Sequence, residues 1–149
     1  MRYYEENLTN QSLSSRNYLR LLGICAWVFQ MNVEFIYEMI DKEHHDHSDT
    51  SWYTLINYTS GKLAKKQESA IRENIGDDAF SLFSSLIDRR NQIIHGLPSG
   101  KKFKDHPIMI YRSSKQGKPS SVDITDVFLE EFIKDNNKLS SMIYMRRQY

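Results

Sequence analysis

Residues 15–41 read SRNYLRLLGICAWVFQMNVEFIYEMID, and the fold class turns on this stretch. Leu19, Leu22, Ala26, Phe29 and Val33 recur at spacings of three and four, and Phe35, Ile36, Met39 and Ile40 continue the pattern. That is the period of a helix, not the alternation of a strand. No proline interrupts it, and Ser14 or Ser12 can supply a capping oxygen. A helix is therefore predicted from about Ser12–Ser15 to about Asp41. So much of its surface is apolar that it belongs at the centre of a bundle or at a subunit contact.

Working outward, Asp41 to Asp49 is a polar loop. A second helical region is predicted from Thr50 or Ser51 through Trp52, Leu55 and Ile56. It breaks at Ser60-Gly61 and resumes through Leu63, Ala64 and Ile71 to about Ile75. Gly76-Asp77-Asp78 reads as a stop and a new cap, and a third helix spans roughly Asp78 to His95. Gly96 suits the position after its end, and Pro98 prevents continuation. Pro107–Tyr111 and Val122–Ile124, across the turn-prone 113–119, read as a two-stranded hairpin. A last helix starts near Thr125 or Asp126 and carries Leu129, Phe132, Leu139 and Ile143 to about Arg146-Arg147. Its 149 residues suit one domain. The expected fold class is all-α: a single helical domain over 1–149, four to five helices with a small β-hairpin near 107–124.

Composition narrows the function. The net charge is only +1, so a nucleic-acid partner would have to be met by local basic patches rather than a global field. The single cysteine, Cys25, lies in an apolar run, cannot form an internal disulfide and fits a reducing cytoplasm. The N-terminus has no apolar signal region. Leu21 to Val33 falls short of the roughly 20 residues of a spanning helix and contains Gln30 and Asn32, so a soluble, cytoplasmic chain without a membrane partner is expected. No glycine-rich phosphate loop is present, and Ser84 and Ser85 have no visible catalytic partner. His44-His45-Asp46-His47 with Asp49 offers metal-ligand types, but adjacent residues do not easily converge on one ion. It is read as a solvated loop, with no metal and no cofactor implied. Trp27, Phe29, Phe35, Phe80 and Phe83 stand at core-like spacing and are read as packing residues rather than base-stacking platforms.

Chemistry concentrates in Asp88-Arg89-Arg90-Asn91-Gln92-Ile93-Ile94-His95-Gly96. On a wheel advancing about 100° per residue, Phe80, Phe83, Leu86, Ile87, Ile93, Ile94 and Leu97 form one apolar arc. Asp88, Asn91 and His95 lie together elsewhere, and Arg90 lands inside the apolar arc. A guanidinium there is costly unless it is paired or lines a cleft. His95 sits in the last turn, beside unpaired carbonyls that favour a cation. Imidazole can exchange a proton with a ribose hydroxyl or a leaving oxygen, and a fixed arginine can hold a phosphate. Asn91, one turn before His95, can orient the imidazole or bind phosphate. Lys101, Lys102 and Lys104 flank the segment and offer phosphate contacts, with Arg89 as a further one; alone, Arg89 reads as a solvated charge. Lys62, Lys65 and Lys66 read as a solvated helix face.

Arg90-Asn91-Gln92-Ile93-Ile94-His95 resembles the Arg-(polar)-x-x-x-His motif of the HEPN superfamily, in position at a helix end as well as in spacing. The resemblance implies a dimeric helical bundle in which two motifs face one cleft and cut RNA without a metal, with Arg90, Asn91 and His95 at the active-site positions. It implies attack of a ribose 2′-oxygen on the adjacent phosphate, leaving 2′,3′-cyclic phosphate ends. Members serve toxin–antitoxin, abortive-infection and CRISPR-associated systems, which implies RNA, a second copy and a cognate antitoxin or defence partner. Other members only bind nucleotides or proteins. The hairpin is not part of the superfamily pattern.

Overall fold

Ser15 starts the first helix: its hydroxyl oxygen accepts from the Tyr18 N–H at 3.1 Å and its carbonyl from the Leu19 N–H at 3.0 Å. In the computed structural model, which describes residues 4–43, 59–99 and 107–147, this helix, α1, runs Arg16–Glu43. Ser14, expected as a possible cap, instead donates its hydroxyl to the Pro107 carbonyl. Helix α2 (Ser60–Lys66) is capped by Thr59, whose hydroxyl oxygen accepts from the Lys62 N–H at 3.2 Å. The expected break at Ser60-Gly61 is thus a helix start. The break falls at Gln67, whose φ of −115° and ψ of 22° separate α2 from α3 (Glu68–Ile75). The region expected to start at Thr50 or Ser51 and the His44–His47 cluster lie outside the described residues.

Gly76 ends α3 and begins α4 (Asp77–His95) with a φ of 88°, a conformation L side chains rarely adopt. A Cβ there would also meet the Arg146 guanidinium. Asp77 and Asp78 stand in the first turn of α4, where carboxylates suit the helix dipole, and Asp77 bonds Arg72 at 3.0 Å. The last helix, α5 (Asp126–Arg147), is capped by Thr125, whose hydroxyl oxygen accepts from the Phe128 N–H at 3.1 Å.

Between α4 and α5 the chain builds three antiparallel strands in the order β1-β2-β3: Leu97–Pro98, Met109–Lys115 and Lys118–Ile124. The strands run longer than expected because the turn is only Gln116-Gly117, both with positive φ, the primed geometry that suits a two-residue hairpin. Pro119 is tolerated because β3 is an edge strand. Unforeseen was β1, which pairs Leu97 with Ile110 and Pro98 with Met109. The protein is therefore mostly helical with a small antiparallel sheet, and the sheet is tied to the end of α4 rather than merely appended.

Packing sets the helix directions. The Cys25 thiol approaches the Leu129 carbonyl, and seven residues further along both helices Asn32 bonds Asn136, so α1 and α5 run parallel. Asn32 Nδ2 donates to both the backbone and the side-chain oxygen of Asn136 at 3.0 Å, and Asn136 Nδ2 donates to the Phe132 carbonyl at 2.9 Å. Both residues are buried, and a satisfied buried amide pair disfavours slipped registers. Helix α4 runs against them, since Arg89 pairs with Asp135 while Gly76, at its start, lies beside Arg146. At the centre the Phe29 ring stands 6.3 Å from Phe83 and 6.1 Å from Phe132.

Two expectations about α1 need correction. Trp27 is not a core residue but 72% exposed, because the buried stripe follows Tyr18, Cys25, Phe29, Asn32 and Ile36 and Trp27 points away from it. Residues Arg16–Asp41 are also long and apolar enough to cross a membrane by length and composition. Here that helix buries one face on α3, α4 and α5, an arrangement consistent with a soluble protein's core helix.

Burial pushes the Cys25 thiol up to about 12 from its ordinary 9.0. Between those values an unfolded chain loses the thiol proton while the folded one keeps it. The contribution of this group to stability is intact below the ordinary value and is lost as pH rises through the window. At about pH 8.5 an alkylating reagent should label Cys25 only after denaturation. Native labelling at the rate of a free thiol would show that the α1–α5 seam opens readily.

Candidate active site on α4

The end of α4 is held from three sides. Gly96 follows His95 just past the helix end, as expected, with φ −67° and ψ 152°, an extended and not a left-handed conformation. The chain leaves the helix extended because it must enter β1 at once. Glycine also eases the packing: a Cβ would lie 3.2 Å from the Gln92 carbonyl and 3.3 Å from Met109, tight enough that a neighbour would have to give by a few tenths of an ångström. The Ser99 N–H and hydroxyl both donate to the Ile108 carbonyl at 3.0 Å, pinning the strand. Tyr18 of α1 closes the clamp, donating its phenol to the Ile124 carbonyl at 2.7 Å and accepting from the Met109 N–H at 2.9 Å. The turn carrying His95 is thereby fixed to the sheet and, through Tyr18, to α1.

Arg90 lies on the core side of α4, as the wheel placed it. Its guanidinium carbon is 5.9 Å from the centroid of the Phe29 ring, within range of a cation–π contact. Nη1 donates to Asn91 Oδ1 at 3.3 Å. Among the described residues no carboxylate pairs with Arg90, which is only partly exposed. Arg89, one residue earlier, is the opposite case. It is not a solvated charge: its side chain is 22% exposed and bonds Asp135 Oδ2 at 2.7 Å, 5.9 Å above the Phe132 ring. Its Nε is buried without a hydrogen-bond partner. Of two adjacent arginines, Arg89 closes the α4–α5 seam and Arg90 keeps donors to spare.

His95 is exposed, and among the described residues nothing hydrogen-bonds its ring. Five residues along a helix separate it from Arg90 by about 140° and about 7.5 Å of rise. One protomer therefore does not turn the two side chains to a common face. Asn91 joins them, bonded to Arg90 and one helical turn before His95. Ile94 is 51% and Leu97 65% exposed, although both belong to the apolar arc of the α4 wheel. The bundle does not cover the last turn of α4, which leaves an apolar rim beside His95.

Phe29 under Arg90 and the Tyr18 clamp were not found from sequence. Both occupy apolar helical spacing, and nothing local marks them as neighbours of residues 90 and 109. Lys101, Lys102 and Lys104 lie outside the described residues. Lys62, Lys65 and Lys66 are exposed on α2. Among the described residues, no three of the side chains His, Cys, Asp and Glu gather into a group able to hold a metal ion. No protein-family model, curated protein or solved structure matches the chain.

Proposed function

We propose that the chain is a HEPN-type, metal-independent endoribonuclease of the cytoplasm, serving in a toxin or anti-phage defence setting. The reading is carried by Arg90: a guanidinium on the core side of its helix, steadied by Asn91 and the Phe29 ring, with no carboxylate partner among the described residues. A cation kept in this state favours an external anion, and a phosphate matches its planar fork of donors. His95, exposed one turn beyond Asn91 but turned to another face than Arg90, would meet such a ligand where two copies share a cleft.

In the proposed reaction the ribose 2′-oxygen bonds to the adjacent phosphorus and the bond from phosphorus to the 5′-oxygen breaks. The products end in a 2′,3′-cyclic phosphate and a 5′-hydroxyl. His95 exchanges the proton that leaves the 2′-hydroxyl or reaches the 5′-oxygen, and Arg90 stabilises charge on the phosphoryl oxygens. Two copies would bring their motifs to one cleft. Lys101, Lys102 and Lys104 would hold the RNA backbone, whereas Arg89 is largely committed to Asp135. A cognate antitoxin or defence partner would restrain the activity.

One observation favours a second reading, a HEPN-fold module that binds a nucleotide or protein without cutting: no described residue orients the His95 ring. The two readings part on one experiment. Purified protein is incubated with labelled tRNA and mRNA in excess EDTA, and product ends are analysed. Cleavage leaving cyclic phosphate ends is the expected result. Intact RNA, from folded protein that still binds it, would favour the binding module.

A further inference from the structure

The outer part of the β2–β3 hairpin stands clear of the core: Arg112 and residues 114–121 are exposed. Its sequence from 112 to 121, RSSKQGKPSS, holds three cations, four serines and no carboxylate, in a chain whose net charge is only +1. Among the described residues none of Arg112, Lys115 and Lys118 has an ion-pair partner. The register sets Lys115 directly opposite Lys118 across the Gln116-Gly117 turn. Like charges so placed repel, and an anion bound to both relieves the repulsion. Opposite residues share a face of the ribbon. Lys115 and Lys118 therefore lie with Ser113 and Ser120, whose hydroxyls bond each other at 2.8 Å. Arg112 lies on the other face with Ser114 and Ser121.

We propose that this hairpin is an arm that grips the phosphate backbone of an RNA stem and hands the unpaired strand leaving that stem to α4. Lysine, arginine and serine are the side chains that contact phosphates, and cations on both faces of a narrow ribbon suit a groove with a backbone to either side. Single strands are held by stacking on aromatic rings, and from 112 to 121 there is none. Pro119 is the one apolar side chain in that span, so the arm lacks the anchors of a protein hot spot or a membrane-surface element. Its base is fixed to the site. Leu97, two residues after His95, pairs with Ile110, and Lys115 follows five residues along β2, about 17 Å at the rise of an antiparallel strand. The bonds of Tyr18 to Met109 and Ile124 hold that base to α1. A stem held at the tip thus ends within a few nucleotides of His95. Unpaired nucleotides are the ones free to bring a 2′-oxygen into line with the bond that breaks. The inference rests on the ribonuclease reading for its choice of RNA and deepens it by naming the substrate.

Binding is measured apart from cleavage, by fluorescence anisotropy of the full chain on a stem–loop RNA whose loop carries 2′-O-methyl groups and has no attacking hydroxyl. Wild type should bind it more tightly than an unstructured RNA of the same length. The triple variant Arg112→Gln, Lys115→Gln, Lys118→Gln should raise the stem–loop Kd about tenfold or more at low salt. It should also lower the slope of log Kd against log salt by about 2 to 3, the loss of three phosphate contacts. Lys115→Glu replaces a like-charged cross-strand pair with an opposite one, so it should weaken binding while the melting temperature holds or rises. A purely structural role for Lys115 would move neither in that way. An unchanged Kd and salt slope in the triple variant would overturn the proposal, whether or not unmodified RNA is cut. Equal affinity of wild type for the unstructured RNA would overturn it too. Displacement by polyglutamate at matched charge would overturn it in favour of an acidic protein, and tighter binding of duplex DNA in favour of DNA. Hairpin-dependent binding without cleavage of unmodified RNA would support the arm and sink the nuclease reading alone.

Discussion

His95→Ala should lower the rate of RNA cleavage by about 10²–10⁴-fold, the usual contribution of a positioned acid–base group, while leaving the fold intact. His95 is exposed and makes no hydrogen bond among the described residues, so its removal costs at most a favourable charge at the end of α4, within about 1 kcal/mol. Activity and stability are therefore expected to separate cleanly. Arg90→Ala should lose a similar factor in rate and some stability as well, because its guanidinium covers the Phe29 ring. Arg90→Lys keeps the charge but not the fork of donors and should recover only part of the rate. Asn91→Ala should fall between, since it releases Arg90 without removing it. The measurements are single-turnover cleavage of one labelled RNA and a thermal melt for each variant. If His95→Ala cut at the wild-type rate, the imidazole would have no part in the chemistry and the binding-module reading would replace the enzyme.

How far residues alone led to this site depended on the kind of signal. The starts and ends of α1 and α5 were legible to within a few residues from periodicity, although the cap of α1 is Ser15 and not Ser14 or Ser12. The hairpin was legible because branched residues flank a turn-rich segment. Arg90 on the core side of α4 was legible from 100° arithmetic. What failed was everything that depends on a distant neighbour. Strand β1 is two residues long and includes Pro98, so it has no pattern of its own and exists only because β2 pairs with it. The extended exit at Gly96 follows from that pairing. Trp27 was read as core because α1 is apolar nearly all round; only the packed helices reveal that the buried stripe is the one through Phe29 and Ile36. Ile94 and Leu97 share the apolar arc of α4 yet lie exposed, for the same reason. Periodicity assigns a residue to a face, but not a neighbour to that face.

Phe29→Ala should be the most damaging single change described here, destabilising the fold by about 3–5 kcal/mol, the range for deleting a buried phenylalanine ring. For a chain of this size that lowers the melting temperature on the order of 10 °C. The ring is 1% exposed and stands against aromatic rings of both other long helices, Phe83 from α4 and Phe132 from α5. Its loss leaves a cavity where three helices meet, which rigid helices cannot collapse to fill. Phe29→Leu keeps most of the apolar volume and should cost under about 1.5 kcal/mol. The leucine variant is the informative one for function, because it removes the aromatic face beneath Arg90 from a protein that still folds. If the ring holds the guanidinium in place, Phe29→Leu should reduce cleavage more than its stability loss explains, and Arg90→Ala should add little further to it. Urea unfolding and single-turnover cleavage of the two single variants and the double variant decide the matter. An alanine variant destabilised by less than about 1 kcal/mol would mean that the three-ring contact is not the centre of the core. Additive losses of activity would mean that Arg90 is positioned without the ring.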